Sequence, residues 1–186
     1  ALQDLGDLDD PPRLAAVRSP LWGTADNAQQ QLFEENCRTL RAMGATVDEV
    51  ELPGAFDQAV ESARLIQLAE LAHGYGELLA SSGSQMSATF RALCERGHRY
   101  SAVEYLGARS TRDALRNALG KLIEAFDAIV TPPATGEAPR TLNSTGDAGF
   151  CTIWTLCGVP SVAFPTGSGP NGLPMGLQVV GAYLNE

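Results

Sequence analysis

The chain has 186 residues, 44% of them hydrophobic, and an acidic balance of −9 with a pI near 4.7. That is enough apolar material to bury a core as one domain. Its arginines are dispersed and Lys121 is its single lysine, so no basic patch for a phosphate backbone is expected and nucleic acid is excluded as a partner. No apolar run approaches a membrane span, and the opening ALQDLGDLDD has neither the basic nor the apolar region of a signal peptide.

Residues 1–12 read as an acidic, turn-rich lead or linker ending in Pro11-Pro12. RLAAVR, residues 13–18, is a first strand with a buried centre. Thr24 or Asp26 caps a helix whose apolar positions Leu32, Phe33, Cys37 and Leu40 recur at helical spacing, and Gly44 stops it. Residues 45–51 form a second strand. A strand, helix, strand unit of this kind implies parallel pairing through a right-handed crossover.

After Pro53 a long helical interval begins, with Phe56, Val60, Ala63 and Gln67 on one face and apolar residues continuing toward Leu79. ASSGSQMS, residues 80–87, breaks it, and a further helix over 88–96 stops at Gly97. Ser101 and Glu104 have the spacing of a capping box. Behind them Val103, Leu106, Leu115, Leu119, Leu122 and Phe126 make an amphipathic stripe, read as core packing.

A strand over 127–131 ends at Pro132-Pro133, and the Gly, Thr and Pro-bearing loop 134–149 is too long for a bare connector. Long loops at the end of a buried strand are frequently part of a site. A helix comes next and stops at Gly158-Val159-Pro160. Two last strands, 160–165 and 174–180, are joined by a turn short enough to make them antiparallel. That turn, GSGPNG at 167–172, satisfies the dinucleotide fingerprint G-x-G-x-x-G. The fingerprint needs a helix after it to hold pyrophosphate, and here the turn leads into a strand. The fold class is therefore α/β, a mixed and largely parallel sheet covered by helices.

Cys37, Cys94, Cys151 and Cys157 are dispersed, and none forms a C-x-x-C pair. They read as reduced thiols of a cytoplasmic protein. Cys151 and Cys157 fall on different faces of one helix, against a disulfide. His73 and His98 are far apart in the chain, so neither a zinc site nor any other cofactor is expected. Each histidine is next to a glycine, read as lying near a helix end or turn and interacting with helix carbonyls.

The last thirty-odd residues carry the most specific pattern. Thr155-Leu156-Cys157-Gly158-Val159-Pro160, then Pro165-Thr166-Gly167, then Gly172-Leu173-Pro174-Met175-Gly176-Leu177-Gln178-Val179-Val180-Gly181 resemble the C-terminal end of the amidase signature family of serine amidohydrolases. Thr155 departs from the Asn of many members. The resemblance implies hydrolysis of a small-molecule amide by a serine nucleophile, activated by a second serine on a cis peptide and by a lysine. A serine hydroxyl is a weak nucleophile that needs such a base and an oxyanion hole.

In the family those groups lie in the N-terminal half, before the region matched here. Lys121 is on a late helix in the wrong order, and Ser81-Ser82-Gly83-Ser84 lacks the flanking glycines of the signature. The expectation is therefore a C-terminal part, residues 13–186, with no catalytic residue of its own. Its partner would be the N-terminal half of the same enzyme, and a homodimer is left open. The resemblance places Phe150, Cys151 and Trp154 on the acyl wall of the pocket, where an aromatic and a thiol suit a partly apolar group. Asp147 and Arg91 fall near recognition charges of relatives that take charged amino-acid amides. The competing reading is a self-contained, non-catalytic α/β binding or interaction module, which would have to fold with no apolar surface left bare.

Overall fold

The computed structural model describes residues 10–185, so most of the acidic lead lies outside the described residues. β1 (Arg13–Val17), α1 (Asn27–Ala42) and β2 (Thr46–Val50) form the expected crossover unit, with β1 and β2 parallel. Asp26 caps α1 by accepting a 2.7 Å hydrogen bond from the Gln29 N–H. Gly44, at φ +102°, supplies the left-handed residue that ends it.

Three helices then pass before the sheet resumes: α2 (Ala59–Ser82), α3 (Ala88–Gly97) and α4 (Ala102–Ile123). β3 (Ala128–Thr131), α5 (Gly149–Cys157), β4 (Ser161–Ser168) and β5 (Pro174–Val180) complete the chain. The strand order is β2-β1-β3-β5-β4. β1 is parallel to β2 and β3, and β5 is antiparallel to β3 and β4, so four of the five strands share one direction. The Gly-rich turn leads directly into β5, without a helix.

β1 lies inside the sheet, between β2 and β3, and its side chains alternate between two cores. Ala15 and Val17 pack with Ile129, Val180, Leu115 and Trp154 under α2, α4 and α5. Leu14 and Ala16 pack with Phe33, Cys37, Val130 and Leu177 under α1. Both faces of this strand are covered, which is why it reads as an unbroken apolar run.

Four local expectations change. Residues 80–82 belong to α2, and the break begins at the 3₁₀ turn Gly83–Gln85. His73 sits inside α2 with Gly74 and Gly76 helical after it, so it is not near a helix end; tertiary packing of α2 carries those glycines. Val103 and Leu106 are 80% and 58% exposed, so only Leu115 and Leu119 of the α4 stripe are deep core. The first turns of α4 direct Tyr105 and Ala108 toward α2 and leave Val103 and Leu106 on the outer face. β4 runs through Pro165 to Ser168 with an irregularity between Pro165 and Gly167, which an edge strand tolerates because its outer N–H has no ladder partner.

β4 is that edge, and seven of its eight residues are exposed. Val162 and Phe164, on one face of the strand, are 66% and 42% exposed. No described helix is long and apolar enough to cross a membrane.

Candidate active site

The helix α5 is short and strongly apolar, and Gly158 in the left-handed region (φ +67°) ends it so that Val159 and Pro160 turn into β4. Its inner face holds Phe150, Ile153, Trp154 and Cys157. Phe150 and Trp154 are each only 1% exposed, whereas Cys151 is half-buried. Of the three residues expected on the acyl wall, Cys151 alone reaches open space, and the two aromatics back it from inside.

Cys151 also connects α5 to the segment after β3 and, through Gln178, to β5. Its Sγ donates to the Pro133 carbonyl at 3.4 Å and accepts from Gln178 Nε2 at 3.8 Å. The same Gln178 nitrogen donates to Ser161 Oγ at 3.2 Å. Thr131 pairs with Gln178 across β3 and β5, and Thr131 Oγ1 and Gln178 Oε1 are buried without a protein hydrogen-bond partner. Buried polar atoms of this kind are rare unless a further group completes them. Thr131 at the end of β3, Ser161 at the start of β4 and Gln178 within β5 thus form a polar cluster beside α5, buried at Thr131 and Gln178.

On the other side of α5 lies a cavity of about 540 Å³, of the size that small-molecule sites have. Cys151, Thr152 and Thr155 form its α5 wall, Ile66 and Glu70 its α2 wall, and Arg112 and Arg116 its α4 wall. Arg116 donates from Nε to the Cys157 carbonyl at 2.6 Å and stacks over the Tyr183 ring at 4.4 Å. It therefore neutralises the carbonyl end of α5. Arg112 meets Asp113 Oδ1 at 2.9 Å, and Glu70 accepts from the Tyr105 hydroxyl at 2.8 Å.

The remaining sequence candidates are dispersed. Asp147 accepts from the Gly149 N–H at 2.7 Å, in the turn just before α5. Arg91 donates to the Gly83 carbonyl at 2.9 Å and ties α3 to the end of α2, outside the cavity. His73 and His98 share a second cavity, of about 430 Å³, between α2, α3 and α4. Lys121 is an exposed charge on α4, and Ser81 donates to the Glu77 carbonyl within its helix. Among the described residues no serine hydroxyl is bonded to a histidine or to Lys121, and no three metal-ligating side chains converge.

Sequence reasoning missed Glu70 and Arg112. Arg112 and Arg116 are four apart, which puts them on one face of α4, but nothing local says that α5 lies opposite that face.

A family model described as Amidase matches residues 3–186. In Oceanobacillus iheyensis, the A-type subunit of glutamyl-tRNA(Gln) amidotransferase is 34% identical over 89 residues, 44% of this chain and 18% of that protein. Its counterpart in Staphylococcus epidermidis is 26% identical over 183 residues, 82% of this chain and 38% of that protein. A solved structure described as an amidase superposes with a TM-score of 0.84 at 27% identity, covering 94% of this chain and 42% of its own. The chain thus spans well under half the length of these relatives.

Proposed function

Because the chain belongs to the amidase family, we propose that it is the C-terminal part of an enzyme that hydrolyses carboxylic amides to an acid and ammonia or an amine. The observation that carries this reading is the bare edge strand β4, with Val162 and Phe164 exposed, directly continuous with the helix that walls the cavity. A self-contained domain protects so long an apolar edge. An edge left open next to a site is where the rest of a sheet, with its catalytic groups, belongs.

On this reading the chain supplies no nucleophile. A serine outside it attacks the amide carbonyl carbon, the C–N bond breaks with a proton delivered to the leaving nitrogen, and water then releases the acid. Residues of this chain shape the acyl side. Cys151 faces the acyl group, and Phe150 and Trp154 fix the position of α5 behind it. Reduced cysteines, all four of them free, fit a cytoplasmic enzyme.

The test is to assay simple amides with the full-length enzyme and with the 186-residue chain. Turnover is expected from the former and none from the latter. Hydrolysis by the chain alone that disappears when one of its own serines or Lys121 is replaced would overturn the assignment of the chemistry to the missing part. A chain that proves a compact monomer binding no apolar dye would favour a self-contained binding module.

A further inference from the structure

Asn171-Gly172 is the one asparagine-glycine pair in the sequence. It lies in the turn Gly169-Pro170-Asn171-Gly172, closed by the Gly172 N–H donating to the Gly169 carbonyl at 3.0 Å. Pro170 presets the bend, and Gly172 takes the positive φ of +80° after it. Both residues of the pair are exposed, and nothing lies within 4 Å of where a Gly172 side chain would begin. A glycine after an asparagine leaves its backbone nitrogen unhindered beside the asparagine side-chain carbonyl carbon.

The same turn fastens the loop 134–149. Asn171 donates from its backbone N–H and from Nδ2 to the Glu137 carboxylate, and the Leu173 N–H donates to it as well. Gly169 permits this approach, since a methyl group there would run into the Glu137 side chain. Two residues earlier, the Thr135 carbonyl accepts from the Asp26 N–H at 2.7 Å. Residues 138–148 are exposed throughout. Among the described residues, Glu137 is therefore the last point at which the loop is hydrogen-bonded to another element before α5.

We propose that Asn171 is a deamidation site and that its clasp on Glu137 is a one-way latch for this loop. In the closed clasp Nδ2 is held on Glu137 and the Gly172 nitrogen on Gly169, so the two reacting groups are restrained. When the turn opens, the Gly172 nitrogen attacks Asn171 Cγ. A new N–Cγ bond forms, the Cγ–Nδ2 bond breaks, and Nδ2 leaves as ammonia with the proton that the Gly172 nitrogen gives up. Solvent water then opens the cyclic imide at either carbonyl, leaving an aspartate or an isoaspartate at 171 with no change of oxidation state.

The product carries a carboxylate where Nδ2 stood, against the carboxylate of Glu137. Two carboxylates that close cannot both stay ionised, and an isoaspartate also lengthens the turn by one backbone atom. The clasp does not re-form. The loop then stays free between Thr135 and α5, next to the Pro133 carbonyl that holds Cys151.

The test incubates the full-length enzyme at pH 8 and follows every asparagine by peptide mapping, in wild type and in Glu137→Ala. In Glu137→Ala, Asn171 is expected to deamidate before any other asparagine and at least about tenfold faster than in wild type, because charged hydrogen bonds no longer close the turn. Asn171 left intact in that variant, or reacting no faster than in wild type, overturns the proposal.

Hydrogen exchange at the Leu173 amide gives a second readout, with Asn171→Asp as the product and Asn171→Ser as its neutral control. Exchange is expected to be at least about threefold faster in Asn171→Asp than in Asn171→Ser, from like-charge repulsion. Equal exchange in the two would show that the new charge does not unfasten the loop, and would overturn the latch. Neither readout requires amide turnover, so their failure is distinct from that of the catalytic reading.

Discussion

The carboxylate of Glu137 is clasped by Asn171. The Asn171 N–H lies 3.1 Å from both of its oxygens and Nδ2 lies 2.7 Å from one. Leu173 adds a third donor at 2.8 Å. The turn that imitates a phosphate-binding fingerprint in sequence thus holds a carboxylate of its own chain, and it ties the site loop after β3 to the β4–β5 hairpin. Partial desolvation raises the Glu137 pKa, but the Asn171 and Leu173 hydrogen bonds and the charge of Arg140 outweigh it, so the group titrates below the usual carboxylate range. A depressed folded pKa means that the clasp contributes fully above the ordinary value of about 4.3 and is lost as pH falls through the folded one. The Asn171 amide resonance should therefore titrate with a midpoint below about 4.3, and Glu137→Gln should flatten that transition. A midpoint at or above the ordinary value would mean that the clasp does not form in solution.

Gly97 allows α3 to cross α2 closely. A methyl group there would run into the Leu68 carbonyl oxygen and come within 2.7 Å of the Ala72 methyl. Helix backbones cannot give way as a flexible side-chain tip can, so Gly97→Ala is expected to destabilise the protein by about 1–3 kcal/mol, despite alanine's better helix propensity. Equilibrium unfolding in urea measures it. A stabilised variant would show that the two helices do not cross this closely.

The cysteines should label in a fixed order. Burial pushes the Cys37 thiol up to about 11, with Glu34 adding to the effect, and burial likewise pushes Cys157 up to about 11 against the opposing charge of Arg116. At pH 8 roughly a thousandth of such thiols is the reactive thiolate. Cys94 is fully buried, and only Cys151 opens on a cavity. Iodoacetamide at pH 8, followed by peptide mapping, should modify Cys151 at least about tenfold faster than the other three. Equal labelling of Cys37 or Cys157 would contradict the packing of α1 or α5.

Ser101→Ala should cost about 1 kcal/mol in urea unfolding. The Ser101 hydroxyl accepts from the Glu104 N–H at 3.2 Å, and Glu104 Oε2 accepts from the Ser101 N–H at 2.8 Å. A cost below about 0.3 kcal/mol would mean that water replaces this cap without loss.

The capping box, the Gly44 and Gly158 stops, the crossover unit and the antiparallel final pair were all legible in the sequence. Each depends on neighbours along the chain. A hydroxyl three residues before a glutamate, a glycine where φ must be positive, and alternation in a strand act over a few ångströms of backbone. The C-terminal pattern from Thr155 to Gly181 was legible for the same reason.

Tertiary structure alone decided the rest. It buried Phe150 and Trp154 while leaving Cys151 open, because the face that α5 presents inward depends on where α2 and α4 lie. It kept His73 inside a helix that packing holds through two glycines, and it left Val103 and Leu106 bare. It brought Arg112 and Glu70, 42 residues apart in sequence, to the walls of one cavity. Helical periodicity shows which residues share a face, but the partner opposite that face is set by long-range packing, and β4 is left exposed among the described residues.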